Sequence, residues 1–588
     1  MMKTARTRTG IACAAVALVF TVYSARLVHL QVKKHDEYSA LAAQKHTMRQ
    51  VIHARRGLIF DRNGELLASN LPVRTITADG SHIKDPSALA AAVAPILGLD
   101  EAELVTKLTT DRKYVVIRRG VPEDQAQAVL AAAQEAGLRG LYSEPDAVRT
   151  YPNGQMLGHV LGFLDHDGTG VQGIEMTMEA YLRGKDGYRY IERDRTGREI
   201  MLYRGQEEPA ENGQNVRLTI DMGLQSIVEE EIETAFQDLK PETAIVLMVD
   251  PKTGEILAMA SRPCFDPNDP GNAGPEQMKN RAVIDMVEPG STFKIVVASG
   301  ALNEGTVNAK SMIFCENGHF AYGGKILRDH HGYGSMSVHD ILVKSSNIGS
   351  AKMAMMMGEE KFYEYVRRFG FGERSGIELP GEIPGLVHPP HRWDKLTITR
   401  MPMGHALAVT PLQITMGMSV IANGGHLMAP QIVRSVEDED GQTVLDKPPR
   451  ITREVIPTST AHFVSDALAE VVGERGTAQL AKVSGFTVAG KTGTAQKVSP
   501  TGGYAAGQYV VSFVGYLPAE DPRFVCLVMI NNATISSSLN YGGTVAAPIF
   551  SRIGEKAARY LNLVPALRAE PIGATPLALG KPIEERAN

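Results

Sequence analysis

Apolar residues are distributed along this chain in three textures, and each predicts a different kind of element. Residues 11–25 form an uncharged, mostly apolar stretch behind Lys3, Arg6 and Arg8. Five short apolar runs, at 244–249, 255–260, 487–494, 509–516 and 524–530, have the length of buried strands and are bounded by turn residues. Helical patterning occupies 224–236, an Ala-rich patch at 124–134, and a long stretch from about 351 to 368. Between the first two strand runs, Asp250-Pro251-Lys252-Thr253-Gly254 has the chemistry of a hairpin turn. Strands that arrive as successive hairpins, with helices between them, predict an α+β domain on an antiparallel sheet flanked by helices.

The other segments arrange themselves around that domain. A chain of 588 residues suggests two or three domains, and 43% hydrophobic content supports a large core. The apolar stretch is short for a span of ~20 residues, but it extends to Val32 if Arg26 snorkels to the interface. That gives a cytoplasmic tail at 1–10 and one transmembrane anchor at 11–32, with the basic residues holding the N-terminus inside and the bulk of the chain outside. A cleaved signal peptide is the alternative. Tyr23 stands where a small residue would precede cleavage at Ala25, so the uncleaved anchor is preferred. Polar residues 33–55 read as a stem, 56–210 as a non-catalytic pedestal, and 211–240 as a linker with a first helix. The sheet-bearing domain takes 241–562. Pro565, Pro571, Pro576 and Pro582 punctuate a polar tail, 563–588, expected to be disordered.

Composition removes several classes of function. A net charge of −5 offers no basic footprint for nucleic acid. The G-x-S-x-G elbow, H-E-x-x-H and the phosphate-binding G-x-x-x-x-G-K-[ST] are all missing. Cys13 lies in the span, and Cys264, Cys315 and Cys526 are an odd number outside it, so at least one stays unpaired in an oxidising compartment. His319, His330, His331 and His339 share one loop-rich stretch, but their irregular spacing does not make a zinc site, and neither metal nor cofactor is expected. The single tryptophan, Trp393, reads as a packing anchor.

Positive chemistry starts at Glu288-Pro289-Gly290-Ser291-Thr292-Phe293-Lys294, which runs into apolar Ile295-Val296-Val297-Ala298. Pro289 and Gly290 break the chain, so Ser291 opens a buried helix and Lys294 follows one turn later on the same face. A lysine held neutral by burial and by neighbouring positive charge can take the proton of a serine and make it nucleophilic. The spacing alone is weak evidence, because Ser81 and Lys84 reproduce it. Order and context decide. Ser345-Ser346-Asn347 follows in a loop between helices, then Lys491-Thr492-Gly493-Thr494 on a strand, and serine acyltransferases carry S-x-x-K, S-x-N and K-T-G in that order. The competing Lys252-Thr253-Gly254 precedes Ser291 and sits in the hairpin turn, and Ser538-Leu539-Asn540 is a second S-x-N out of context. The chemistry assigns Ser291 as nucleophile, Lys294 as base and Ser345 as proton relay. Asn347 holds the base and the substrate amide. Lys491, Thr492 and Thr494, in the segment that includes Gly493, face a carboxylate, and the N–H groups of Ser291 and of Thr494 on the strand edge face an oxyanion.

With these motifs the chain resembles the class B penicillin-binding proteins, the monofunctional peptidoglycan D,D-transpeptidases. Arg56-Gly57-Leu58-Ile59-Phe60-Asp61-Arg62-Asn63-Gly64, Arg149-Thr150-Tyr151-Pro152-Asn153-Gly154 and Gly170-Val171-Gln172-Gly173-Ile174-Glu175 look like that family's three N-terminal signatures. Asn280-Arg281-Ala282 and Tyr541-Gly542-Gly543 also match, so the likeness spans roughly 50 to 562. The segments from Gly404 to Gln413 and from Asn540 to Gly543 look most like septal, cell-division members, with elongation-type members as the nearest alternative. The resemblance implies a penicilloyl-serine transferase fold and a donor stem peptide ending in D-Ala-D-Ala. It also implies covalent capture of β-lactams and work at the inner membrane beside a glycosyltransferase that polymerises lipid II and other division proteins. In the pedestal it implies a hinge or partner surface in which Arg56, Arg149 and Glu175 form an ion-pair network; a purely structural cluster is an equal reading. A D,D-carboxypeptidase, a β-lactamase or sensor, and an inactive division scaffold are the rival functions.

Overall fold

The computed structural model describes residues 2–38, 47–193, 199–202, 207–498, 503–536 and 539–565. Residues 566–588 of the expected tail, and Ser538 of the second S-x-N, lie outside the described residues. The described chain divides into two compact units, 1–57 with 183–213, and 58–182 with 214–588.

The first unit carries a helix from Met2 to Val28 that continues as a wider turn through Lys33. Over Thr7–Lys33 it is long and apolar enough to cross a membrane, and none of that segment is buried. Such a surface is consistent with a single-pass membrane anchor. The same unit holds a small antiparallel sheet of Thr47–Ile52, Gly187–Arg193 and Glu199–Leu202. Arg56 belongs to this unit.

The second unit is built on a five-stranded antiparallel sheet in the order Ile256–Arg262, Thr243–Val249, Phe524–Asn531, Tyr504–Leu517, Ala489–Val498. Each expected strand run is present. Every residue of Thr243–Val249 is buried, as a strand covered on both faces requires. The helices Met222–Leu239 and Ala546–Tyr560 pack on one another and on the sheet, and Pro411–Ala422 packs against its central strands. This last helix is buried at every position. Its backbone survives there because Thr410 and Gln413 form a reciprocal capping box and Pro411 fills a position whose N–H has no partner anyway. Lys252-Thr253-Gly254 is the turn joining the first two strands, with Gly254 at φ +80°. The stretch read as one long helix is two, Asn347–Met357 and Glu359–Arg368, because Gly358 at φ +80° leaves the helical region.

A seven-stranded sheet joins strands that precede the five-stranded sheet in the chain with two that lie between its strands, at 433–446. Its order is Thr443–Asp446, Val433–Glu437, Asn215–Leu218, Ile59–Phe60, Leu66–Ala78 and Val115–Val121, with Leu141–Thr150 also on Leu66–Ala78. Buried Asp61 pins the start of this sheet. Its carboxylate accepts from the N–H groups of Asn63 and Glu65, both at 2.7 Å, and of Met222 at 3.2 Å. A separate hydrophobic cluster, with Leu89, Val93, Leu104 and Val129, fills the region between 76 and 141. Trp393 packs edge-on against Phe362 and Tyr363, and its indole N–H donates to the carbonyl of His388 at 2.7 Å. All four cysteines are free thiols.

Candidate active site

Three elements converge in the second unit. Ser291 lies in the short turn Gly290–Phe293, which runs directly into the buried helix Lys294–Asn303. Ser345 sits in the loop between the helices Val338–Val343 and Asn347–Met357. Lys491 to Thr494 lie on Ala489–Val498, the sheet's edge strand, whose second side pairs with no strand among the described residues and faces the nucleophile turn. An edge strand presents N–H and C=O groups outward, so this placement supplies backbone donors to a cleft.

The approach is close because glycines make it so. A Cβ on Gly493 would stand 2.4 Å from the Ser512 hydroxyl and 2.9 Å from the carbonyl of Pro289. A Cβ on Gly404 would collide with the backbone of Gly290, 2.1 Å from its oxygen, and Gly290 N–H donates to the Gly404 carbonyl at 3.2 Å. Gly404 was read from the sequence only as part of a resemblance; its steric role appears once the chain is folded.

Lys294 and Lys491 are both completely buried, and their amines meet on one hydroxyl. Each Nζ lies 3.0 Å from Ser345 Oγ. Lys294 Nζ also donates to the Ser345 carbonyl at 2.5 Å and to Asn347 Oδ1 at 2.8 Å. Ser345 reaches the amine with both oxygens because its backbone is left-handed, at φ +58°. A non-glycine residue pays for that conformation with roughly 1–2 kcal/mol, and such residues concentrate where geometry serves chemistry. Burial pushes Lys294 well below the ordinary lysine range, and the charge of Lys491 adds to the push. Burial also brings Lys491 down to about 7. The sequence reading set the Lys294 amine against Ser291; its hydrogen bonds instead go to Ser345 and Asn347, the acceptors that a buried amine needs most.

The remaining predicted residues fall as follows. Thr492 Oγ1 lies 3.3 Å from Thr477 Oγ1, and Thr494 Oγ1 accepts the N–H of Gly542 at 3.3 Å. Asn347 is fixed from behind, its Nδ2 donating to the Arg328 carbonyl at 2.9 Å. Arg149 and Glu175 pair at 2.7 Å with 5% and 0% side-chain exposure. Tyr151 OH and Asn70 Oδ1 extend that pair, at 3.3 Å and 3.1 Å. Ser81, the false partner of Lys84, donates to Asp79 in a three-residue turn. His331 packs edge-on against Tyr333 and His339 edge-on against Phe463, and among the described residues no group of three metal-binding side chains converges. Two residues escaped the sequence reading altogether. Asp329 binds the start of the Asn347 helix, and Thr477 backs Thr492. Neither belongs to a motif, and no local signal marks them.

A family model of the penicillin-binding protein transpeptidase domain matches residues 244–555, and one of the penicillin-binding protein dimerisation domain matches 51–218. The chain belongs to the penicillin-binding protein transpeptidases. It is similar to Stage V sporulation protein D of Bacillus subtilis, 33% identical over 555 residues that cover 93% of this chain and 85% of the relative. Peptidoglycan D,D-transpeptidase FtsI of Escherichia coli is 30% identical over 565 residues, 95% of this chain and 92% of the relative. The crystal structure of penicillin binding protein 3 from Mycobacterium tuberculosis, complexed with aztreonam, superposes with a TM-score of 0.69 at 29% identity, covering 88% of this chain and 98% of that one. The family thus accounts for both the five-stranded sheet and the pedestal that precedes it.

Proposed function

We propose that this protein is a membrane-anchored peptidoglycan D,D-transpeptidase acting in septal wall synthesis, with Ser291 as its nucleophile. The observation that carries the reading is the meeting of two buried lysines on Ser345 Oγ beside the Ser291 turn, in a chain of this family.

The chemistry follows from that geometry. Neutral Lys294 takes the Ser291 hydroxyl proton as Oγ attacks the carbonyl of the penultimate D-Ala. The oxyanion is met by the N–H groups of Ser291 and of Thr494 on the edge strand. Protonated Lys491, with Thr492, holds the substrate's terminal carboxylate. As the C–N bond breaks, Ser345 passes a proton from the lysine pair to the departing amine, and D-Ala leaves. An amine from a neighbouring stem peptide then attacks the ester, forming the cross-link and freeing Ser291. A β-lactam enters the same path and remains as a slowly hydrolysed ester.

Labelling with a fluorescent penicillin tests the assignment. Wild type is expected to label and Ser291→Ala not at all; an unlabelled wild type, or equal labelling of both, sinks the reading. Rapid turnover of the drug would instead make the protein a β-lactamase. Stem-peptide products released with water as the only acceptor would make it a carboxypeptidase.

The septal role, the N-inside orientation and a glycosyltransferase partner extend the same proposal. Lys3 and Arg6 ahead of the Thr7–Lys33 segment, with Arg8 at its start, support the orientation. A fluorescent fusion confined to the lateral wall would remove septal duty. Accessibility of an N-terminal tag from outside the cell would reverse the topology. In reconstitution with lipid II, cross-links that form equally well without a polymerase would remove the partner.

A further inference from the structure

Asp329 lies outside every motif, one residue beyond the strand Lys325–Arg328, yet it holds the second motif together. Its Oδ1 accepts the N–H of Asn347 at 2.5 Å and of Ile348 at 3.1 Å. Its Oδ2 accepts the Ser346 hydroxyl at 2.6 Å. Ser346 Oγ in turn accepts the N–H of Gly349 at 3.0 Å. The first three N–H groups of an eleven-residue helix are thereby satisfied, two of them by a carboxylate placed where the helix dipole favours negative charge. The backbone of Asp329 is tied down as well, its N–H donating to the carbonyl of Gly318 at 3.2 Å. The neighbouring Arg328 carbonyl takes Asn347 Nδ2, which leaves the Asn347 amide oxygen facing Lys294.

We propose that Asp329 is a positioning residue of the acylation centre, which aims Asn347 and Ser345 at Lys294 and sets a carboxylate charge beside that base. The proposal rests on the reading of Ser291 and Lys294 as an acyl-transfer pair. Lys491, which faces Lys294 across Ser345 Oγ, works the opposite way, and the nearby imidazoles of His330 and His405 are held below the ordinary histidine range by burial. Around Asp329 itself stand His330, the Cys315 thiol and the Tyr333 phenol. Burial drags the Lys294 amine far down, and Asp329 pulls it back up. A base brought back towards the working pH is a stronger base that is still neutral enough to act.

The test is the pH dependence of acylation by fluorescent penicillin, measured on the full-length protein in detergent for wild type, Asp329→Asn, Asp329→Ser and Asp329→Glu. Both neutral variants keep an acceptor for the Asn347 N–H. With the charge gone, the acid limb of the profile moves to lower pH by about one unit, and the plateau rate falls about tenfold. Asp329→Glu restores the position of the limb. A role confined to holding the helix would lower the plateau and leave the limb in place, so an unmoved limb in a folded neutral variant overturns the proposal. Asp329→Ser, with a good neutral helix cap, supplies the result if Asp329→Asn does not fold. A wild type that fails to label at all refutes the Ser291 assignment instead, and the two failures are told apart by that control.

Discussion

Two places in this chain bury charge, and they do it in opposite ways. Arg149 and Glu175 cancel one another at 2.7 Å with almost no exposure, and Tyr151 and Asn70 take up further hydrogen-bonding capacity. Lys294 and Lys491 bury like groups 3.0 Å from a shared hydroxyl, and neither stays an ordinary ammonium. The first arrangement sets opposite groups against one another in a fixed geometry. The second is left unbalanced except for Asp329, and its response is to shed a proton. A buried opposite pair makes structure; a buried like pair makes a base.

Breaking the lysine pair should have the largest effect. Lys294→Ala is expected to cut the rate of penicillin acylation about 10³-fold without unfolding the protein. Normal labelling of this variant would strip Lys294 of its role as base. Breaking the opposite pair should show the reverse pattern. Arg149→Ala removes the guanidinium that pairs with buried Glu175 at 2.7 Å, a loss of about 3–5 kcal/mol in stability, yet the folded fraction should still acylate at the wild-type rate when assayed well below its melting temperature. Denaturant midpoints unchanged by this substitution would mean the pair contributes nothing.

A third buried group sharpens the contrast through pH. His159 donates to the Gln277 carbonyl and lies against Phe265, and burial lowers its pKa from 6.5 to about 4. The folded state therefore resists protonation that the unfolded chain accepts. The stabilisation is complete above pH 6.5, declines as pH falls, and is exhausted near 4, for a total of about 3 kcal/mol. His159→Gln keeps a donor for Gln277 and should flatten the fall in stability between those pH values. Parallel stability curves for variant and wild type would show that His159 is not a source of the slope. The smallest effect is expected at the false motif in the hairpin turn. Lys252 pairs with Asp521 on the surface, both side chains more than half exposed, so Lys252→Ala should change stability by no more than about 0.5 kcal/mol and labelling not at all.

The legibility of these sites in the sequence followed the range of the interactions. The strand runs were plain, since burial on both faces demands unbroken apolar residues, as in Thr243–Val249. Ser291 and Lys294 were legible because both lie within one helical turn, and the order of motifs ruled out Lys252. The extent of the helix after Asn347 was misread because apolar periodicity carries on past Gly358, whose backbone does not. In the pedestal, Arg149 and Glu175 were singled out, whereas the buried acid of the first signature proved to be Asp61, among residues where Arg56 had drawn attention. Asp329 and Thr477 stayed hidden because their partners lie 18 and 15 residues away and no periodicity links them.

By itself the sequence determined the apolar N-terminal helix and the antiparallel sheet, and it singled out Ser291, Lys294, Ser345, Asn347 and Lys491 as the candidate chemical groups. These follow from hydrophobic pattern and from short motifs in a fixed order, which are properties of neighbouring residues. Only the tertiary structure decided that both lysines close on a single hydroxyl, that Ser345 turns left-handed to offer two oxygens, and that Asp329 stands behind them. A lysine is a base only when water is kept from it and a second charge lies near, and both conditions are made by distant parts of the chain folding together.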